Sequence, residues 1–115
     1  QYGLNMKELI PSKISLVHGE VFKFGGSDFT IIHTPGHSPG SVCFRNDKEG
    51  YIISGDVLFQ GSIGRTDLPG GDYNTLIRSI TEQILNLDDD IILYSGHGPI
   101  TTVGQEKISN PFLQV

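Results

Sequence analysis

Three glycine-bracketed segments hold the side chains best suited to chemistry: Thr34-Pro35-Gly36-His37-Ser38-Pro39-Gly40, Ser54-Gly55-Asp56 and Ser95-Gly96-His97-Gly98-Pro99. Each presents one residue able to ligate a metal. Glycine lets the backbone turn sharply and approach closely, and proline removes conformational freedom, so a histidine set between them is held in place. Two imidazoles with a carboxylate suit zinc or iron, zinc taking nitrogen at about 2.0–2.1 Å and carboxylate oxygen at about 2.0–2.2 Å. Taken singly, each segment has a plainer reading, a Gly-His-Gly turn with a solvated ring or an aspartate capping a turn. Cys43, between Val42 and Phe44, reads as a small buried hydrophobe and not as a nucleophile.

These segments need a scaffold, and short strands supply it. Residues 14–17 and 21–24 read as a hairpin around His18-Gly19-Glu20, residues 29–33 as a third strand ending at Thr34-Pro35-Gly36, and residues 41–44 and 51–54 as two antiparallel neighbours around the polar turn 46–50. All three metal-capable segments therefore follow a strand, where loops on a rigid scaffold tend to carry function. Asp72 is placed to cap a helix over about residues 73–87, in which Leu76, Ile77, Ile80, Ile84 and Leu87 repeat at helical spacing. Ile91 to Tyr94 reads as a buried strand, and Thr102 with Gln105 has the form of a capping box, so a short helix is expected from Val103 to just before Pro111. His33 is expected to be packed or hydrogen-bonded near the site, His18 to be solvated in its turn, and Tyr51, Phe59 and Phe112 to be core.

Length and composition bound the function. With 115 residues there is room for one small domain. Eight Lys and Arg against thirteen Asp and Glu leave a net charge of −5, which argues against a phosphate-neutralising surface and so against a nucleic-acid partner. The longest strongly apolar run, residues 91–94, is far short of the ~20 residues that span a bilayer, and no basic-then-apolar leader opens the sequence, so no membrane association is expected. The single cysteine forms no intrachain disulfide and points to a reducing, cytoplasmic setting. Gly at 15 of 115 is well above the usual ~7%, as expected of a chain rich in tight turns.

In this order, TPGHSPGS at 34–41, SGDVLF at 54–59 with GSIGRTDLPGG at 61–71, SGHGPITT at 95–102 and the stretch from Glu106 to Phe112 resemble the C-terminal half of the metallo-β-lactamase superfamily. Within it they are most similar to the glyoxalase II-like, or hydroxyacylglutathione hydrolase, branch. The resemblance covers about residues 10–113 and implies an α+β fold, half of a four-layer αββα sandwich. It implies that His37 binds a first metal, that His97 binds a second, and that Asp56 bridges both and is the residue on which catalysis depends; Ser38 stands where threonine is commoner. Arg65 occupies a position where a basic residue often reaches toward a substrate carboxylate. Asp67, Thr101 and Thr102 are candidates for supporting or capping roles. The implied cofactor is a pair of zinc ions, with iron as the other option, and the implied chemistry is attack of a metal-activated water on a small-molecule thioester of the acyl-glutathione type.

The departure from that family pattern is equally informative. Its remaining ligands come from an HxHxDH segment ahead of these motifs, and here His18 is the only histidine before His33. Three ligands for two ions fall below four-coordination, so residues 1–115 are expected to form one partial domain that alone holds metal weakly or is metal-free. A half sandwich also leaves an inner sheet face to be covered by the missing N-terminal half or by a second copy. Together with a first residue, Gln1, that is not Met, this points to a fragment of a longer hydrolase, inactive alone. Two alternatives carry weight: an enzyme resembling the single-iron persulfide dioxygenases, whose GRTD run is matched at 64–67, and a non-catalytic module acting through interaction only.

Overall fold

Runs of β-branched and aromatic residues become the strands, and glycine pairs or polar turns end them. The computed structural model describes residues 17–96 and 98–114. Among these the strands are β1 (Val21–Phe24), β2 (Ser27–His33), β3 (Val42–Asn46), β4 (Tyr51–Gly55), β5 (Leu58–Phe59), β6 (Ser62–Ile63), β7 (Ile92–Ser95) and β8 (Thr101–Thr102). The helices are α1 (Tyr73–Gln83) and α2 (Val103–Ser109), followed by a 3-10 turn at Pro111–Leu113. Six strands form one sheet in the order β1-β2-β3-β4-β7-β8, and β5 pairs with β6 in a separate small hairpin. None of the described helices is long and apolar enough to cross a membrane.

Strand direction decides where the loops meet. β2 is antiparallel to β3, β3 is antiparallel to β4, and β4 is parallel to β7. β2, β4 and β7 therefore run the same way, and the segments that follow them, 34–41, 56–57 and the one that starts at Gly96, leave from one end of the sheet. The turns at 25–26 and 46–50 lie at the other end.

Both faces of the central strands are apolar, as in a buried sheet layer. On one face Ile32, Cys43, Ile52 and Leu93 pack with Leu76, Ile80 and Ile84 of the helical segment, with Val57, Leu58 and Ile63, and with Val103 and Leu113. On the other, Phe29, Ile31, Phe44 and Ile53 form a second buried cluster edged by Phe22, Phe24, Val42 and Tyr51. Aromatic edges knit it, with Phe22 at 5.5 Å from Phe44 and Tyr51 at 5.3 Å from Tyr94 between ring centroids. The buried apolar residues of both helices belong to the first cluster.

Several expectations need correction. The helix over 73–87 stops at Gln83: Ile84 leaves helical geometry at φ −120°, and Leu85 N–H donates to the Ile80 carbonyl five residues back, so Ile84 and Leu87 keep the apolar spacing without the helix. Asp72 stands at the N-cap, but its carboxylate accepts from the Thr75 hydroxyl and no helix N–H reaches it. Residues 14–16 of the expected first strand lie outside the described residues, and Val17 lies in no strand. Phe112 is exposed because the 3-10 turn points Leu113 inward in its place. Of the expected capping box the N-cap half is found, Thr102 Oγ1 accepting from Gln105 N–H at 3.1 Å, while the Gln105 side chain turns to Ser109, Nε2 donating to its Oγ at 3.0 Å.

Candidate metal centre

The His37 segment is fastened to α1 by its backbone. Pro35 O accepts from Ser79 Oγ at 2.8 Å, and Gly36 O accepts from Asp72 N–H at 2.7 Å. Gly36, at φ +132°, lies so close to the helix that a Cβ there would sit 2.3 Å from Leu76 Cα. No other residue permits that approach. Ser38 and Ser41 close the loop, their hydroxyls 2.8 Å apart and Ser41 Oγ accepting from Ser38 N–H.

His37 is half-buried, and its Nδ1 lies 2.8 Å from the Arg65 carbonyl oxygen. A carbonyl only accepts, so Nδ1 is the donor, and in the neutral ring Nε2 keeps the lone pair. An imidazole that ligates metal through Nε2 takes this form, with the ring oriented by the bond on the far nitrogen. Arg65 follows Gly64, the exit of the β5–β6 hairpin, and Gly64 N–H donates to Val57 O at 3.0 Å. A Cβ on Gly64 would lie 2.1 Å from the Asp56 carbonyl oxygen and 3.3 Å from His37 Cβ. Gly64 is thus wedged between the segments that bear His37 and Asp56.

Asp56 is exposed at the tight turn after β4, where Val57 N–H donates to Ser54 O at 2.9 Å. Ser54 is buried beneath it and donates to Leu58 O and Tyr94 O. Gly96 N–H donates to Gly55 O at 2.8 Å, and the Asp56 carboxylate lies against Gly96, 3.2 Å from where a Cβ would stand. The segments bearing His37 and Asp56 and the start of the segment bearing His97 therefore meet; His97 itself lies outside the described residues. Among the described residues no three His, Cys, Asp or Glu gather around a common point. His37 Nε2 and the Asp56 carboxylate are of the donor types that a zinc or iron shell takes.

The remaining candidates separate. The Arg65 side chain is exposed and forks onto Asp67, with Nε–Oδ1 at 2.9 Å and Nη2–Oδ2 at 3.1 Å. That pairing raises the Arg65 pKa further and holds the Asp67 carboxyl below its usual range. What sequence reasoning missed is the Arg65 carbonyl, which any residue would carry. His33 Nε2 lies 2.8 Å from Pro39 O, buttressing the loop as expected, whereas exposed His18 also has a structural role, its Nδ1 accepting from His33 N–H at 3.0 Å. Cys43 is wholly buried and its thiol is pushed up to about 12 by that burial, against a smaller opposing effect from Thr34. It is no nucleophile.

Comparison with known proteins gives a consistent picture. Residues 4–97 match the family model described as the metallo-beta-lactamase superfamily. Hydroxyacylglutathione hydrolase GloC of Haemophilus influenzae is 51% identical over 114 residues, which are 98% of this chain and 54% of the relative. The crystal structure of the B3 metallo-beta-lactamase BLEG-1 superimposes with a TM-score of 0.85 at 51% identity, over 92% of this chain and 51% of that one. TTHA1623, solved in a di-iron-bound form, gives 0.78 at 42% identity, over 90% and 50%. The chain thus spans about half the length of the relatives it matches.

Proposed function

Because the chain belongs to the metallo-β-lactamase superfamily, we propose that it supplies the C-terminal half of a metal-dependent hydrolase cleaving small thioesters of the hydroxyacylglutathione type. The observation that carries this reading is the His37 Nδ1 bond to the Arg65 carbonyl, which leaves Nε2 as the donor beside a loop bearing a carboxylate. The name of the GloC relative supports the substrate class. In the parent protein His37, Asp56 and His97 would hold part of a metal pair, zinc or, as in the di-iron relative, iron. The bound metal would supply Lewis acidity toward a carbonyl and acidify water.

The chain's own residues have separate parts in this account. His37 binds through Nε2, its ring held by the Arg65 carbonyl against rotation. Asp56 offers two carboxylate oxygens from a turn that Ser54 anchors below through buried hydrogen bonds. The exposed Arg65 guanidinium, charged as any arginine is, can exchange its Asp67 partner for an anionic group of the substrate. The remaining ligands would come from the N-terminal half, which would also cover the aromatic sheet face.

The test is metal content and thioester hydrolysis by the full-length parent and its Asp56→Ala and His37→Ala forms. Each variant is expected to lose at least one equivalent of metal and to fall at least a hundredfold in kcat/KM. Unchanged metal content and turnover in Asp56→Ala would remove that residue from the mechanism. Iron dependence with oxygen consumption and no hydrolysis would replace the hydrolase by an oxygenase.

A further inference from the structure

Glu106 is wholly buried and no cation pairs with it among the described residues. A carboxylate in such a place must be satisfied by donors. Its Oε1 accepts from Gly61 N–H and from Asn110 Nδ2, both at 2.9 Å, and its Oε2 accepts from Thr101 Oγ1 at 2.5 Å. Asn110, also wholly buried, extends the network, its Nδ2 donating to Ser62 O at 3.0 Å. Gly61 and Ser62 are the turn and return strand of the β5–β6 hairpin. Two residues beyond Ser62 that hairpin delivers Gly64, wedged between Asp56 and His37, and then Arg65, whose carbonyl holds the His37 ring.

We propose that Glu106 and Asn110 are positioning residues for the metal centre: they clamp the β5–β6 hairpin to α2, and through it fix the Arg65 carbonyl against His37 Nδ1. The two carboxylate oxygens divide the work. Oε1 accepts from the hairpin at Gly61 and from Asn110, whereas among the described residues Oε2 accepts from Thr101 of the main sheet. Loss of the clamp frees the hairpin to shift, and a sub-ångström shift at Arg65 is enough to lengthen the 2.8 Å bond that sets the ring. The proposal deepens the metal-hydrolase reading and rests on it where metal affinity is the readout, but the state of the His37 ring is read without it.

The experiment uses the zinc-loaded full-length parent with Glu106→Leu, Asn110→Ala and Thr101→Val, each checked for folding by circular dichroism. Two quantities are followed: exchange of the His37 Nδ1 proton by nitrogen-edited NMR, and the zinc Kd. In Glu106→Leu and Asn110→Ala the proton is expected to exchange at least tenfold faster and the zinc Kd to rise about 10–100-fold, as for loss of a ligand-orienting contact. Thr101→Val is expected to lower the melting temperature while leaving both quantities within twofold. If Glu106→Leu does not fold, Asn110→Ala, which retains the carboxylate, decides alone. Slow exchange and unchanged Kd in folded Asn110→Ala would overturn the proposal, as would equal effects from Thr101→Val. Faster exchange with an unchanged Kd would uphold the clamp and remove His37 from the ligand set, so the two readings fail separately.

Discussion

The two ends of the main sheet use glycine for different purposes. At the end where β2, β4 and β7 finish, Gly36 and Gly64 are needed for closeness: a side chain at either would run into the backbone of Leu76 or Asp56 at 2.3 or 2.1 Å. At the opposite end Gly25, Gly26 and Gly50 have nothing within 4 Å of a would-be Cβ, and they serve only to take positive φ in turns. The same residue type is a spacer in one place and a hinge of fixed shape in the other. Beside His37 and Asp56 the backbone leaves room for glycine alone at positions 36 and 64, the close packing that a preorganised site requires.

Alanine substitution should separate the two ends. Gly36→Ala combines an overlap with α1 and a left-handed backbone that alanine resists, and is expected to cost about 3 kcal/mol or more, with Gly64→Ala somewhat less damaging to stability but equally damaging to metal binding. Urea denaturation with metal analysis of the parent checks both. A Gly64→Ala protein that retains full metal content would break the comparison. Gly50→Ala, at φ +74° in open space, is expected to cost only about 1 kcal/mol and to leave metal content unchanged.

How much of this was legible in the sequence depended on how many residues each feature repeats over. β1, β2 and β4 could be placed to within two residues because apolar and β-branched residues persist over several positions. The two-residue strands β5, β6 and β8 could not, since two residues carry no period. His37 and Asp56 stood out through the glycines beside them, but their mutual support did not, because it runs through Gly64 and a backbone carbonyl at Arg65. Glu106 and Asn110 did leave a signal: with Val103 they are spaced i, i+3, i+7, the interval of a buried helical face, so two polar residues on that face pointed to a buried network.

Arg65 contributes its backbone to His37 and its guanidinium to solvent and Asp67. Arg65→Ala keeps the carbonyl, so metal content should be unchanged and kcat within about twofold, with KM for an anionic thioester raised about 3–10-fold, the share of an exposed charge contact. Steady-state kinetics of the parent at two salt concentrations measures this, and a loss of metal in that variant would show that the side chain, not the carbonyl, orients the histidine.

Anomalous diffraction at the metal edge from crystals of the loaded parent locates the ion relative to His37 and Asp56. A peak within bonding distance of His37 Nε2 and of an Asp56 carboxylate oxygen, with Nδ1 still on the Arg65 carbonyl, is the predicted result. A metal bound through Nδ1, or one that touches neither side chain, would contradict it.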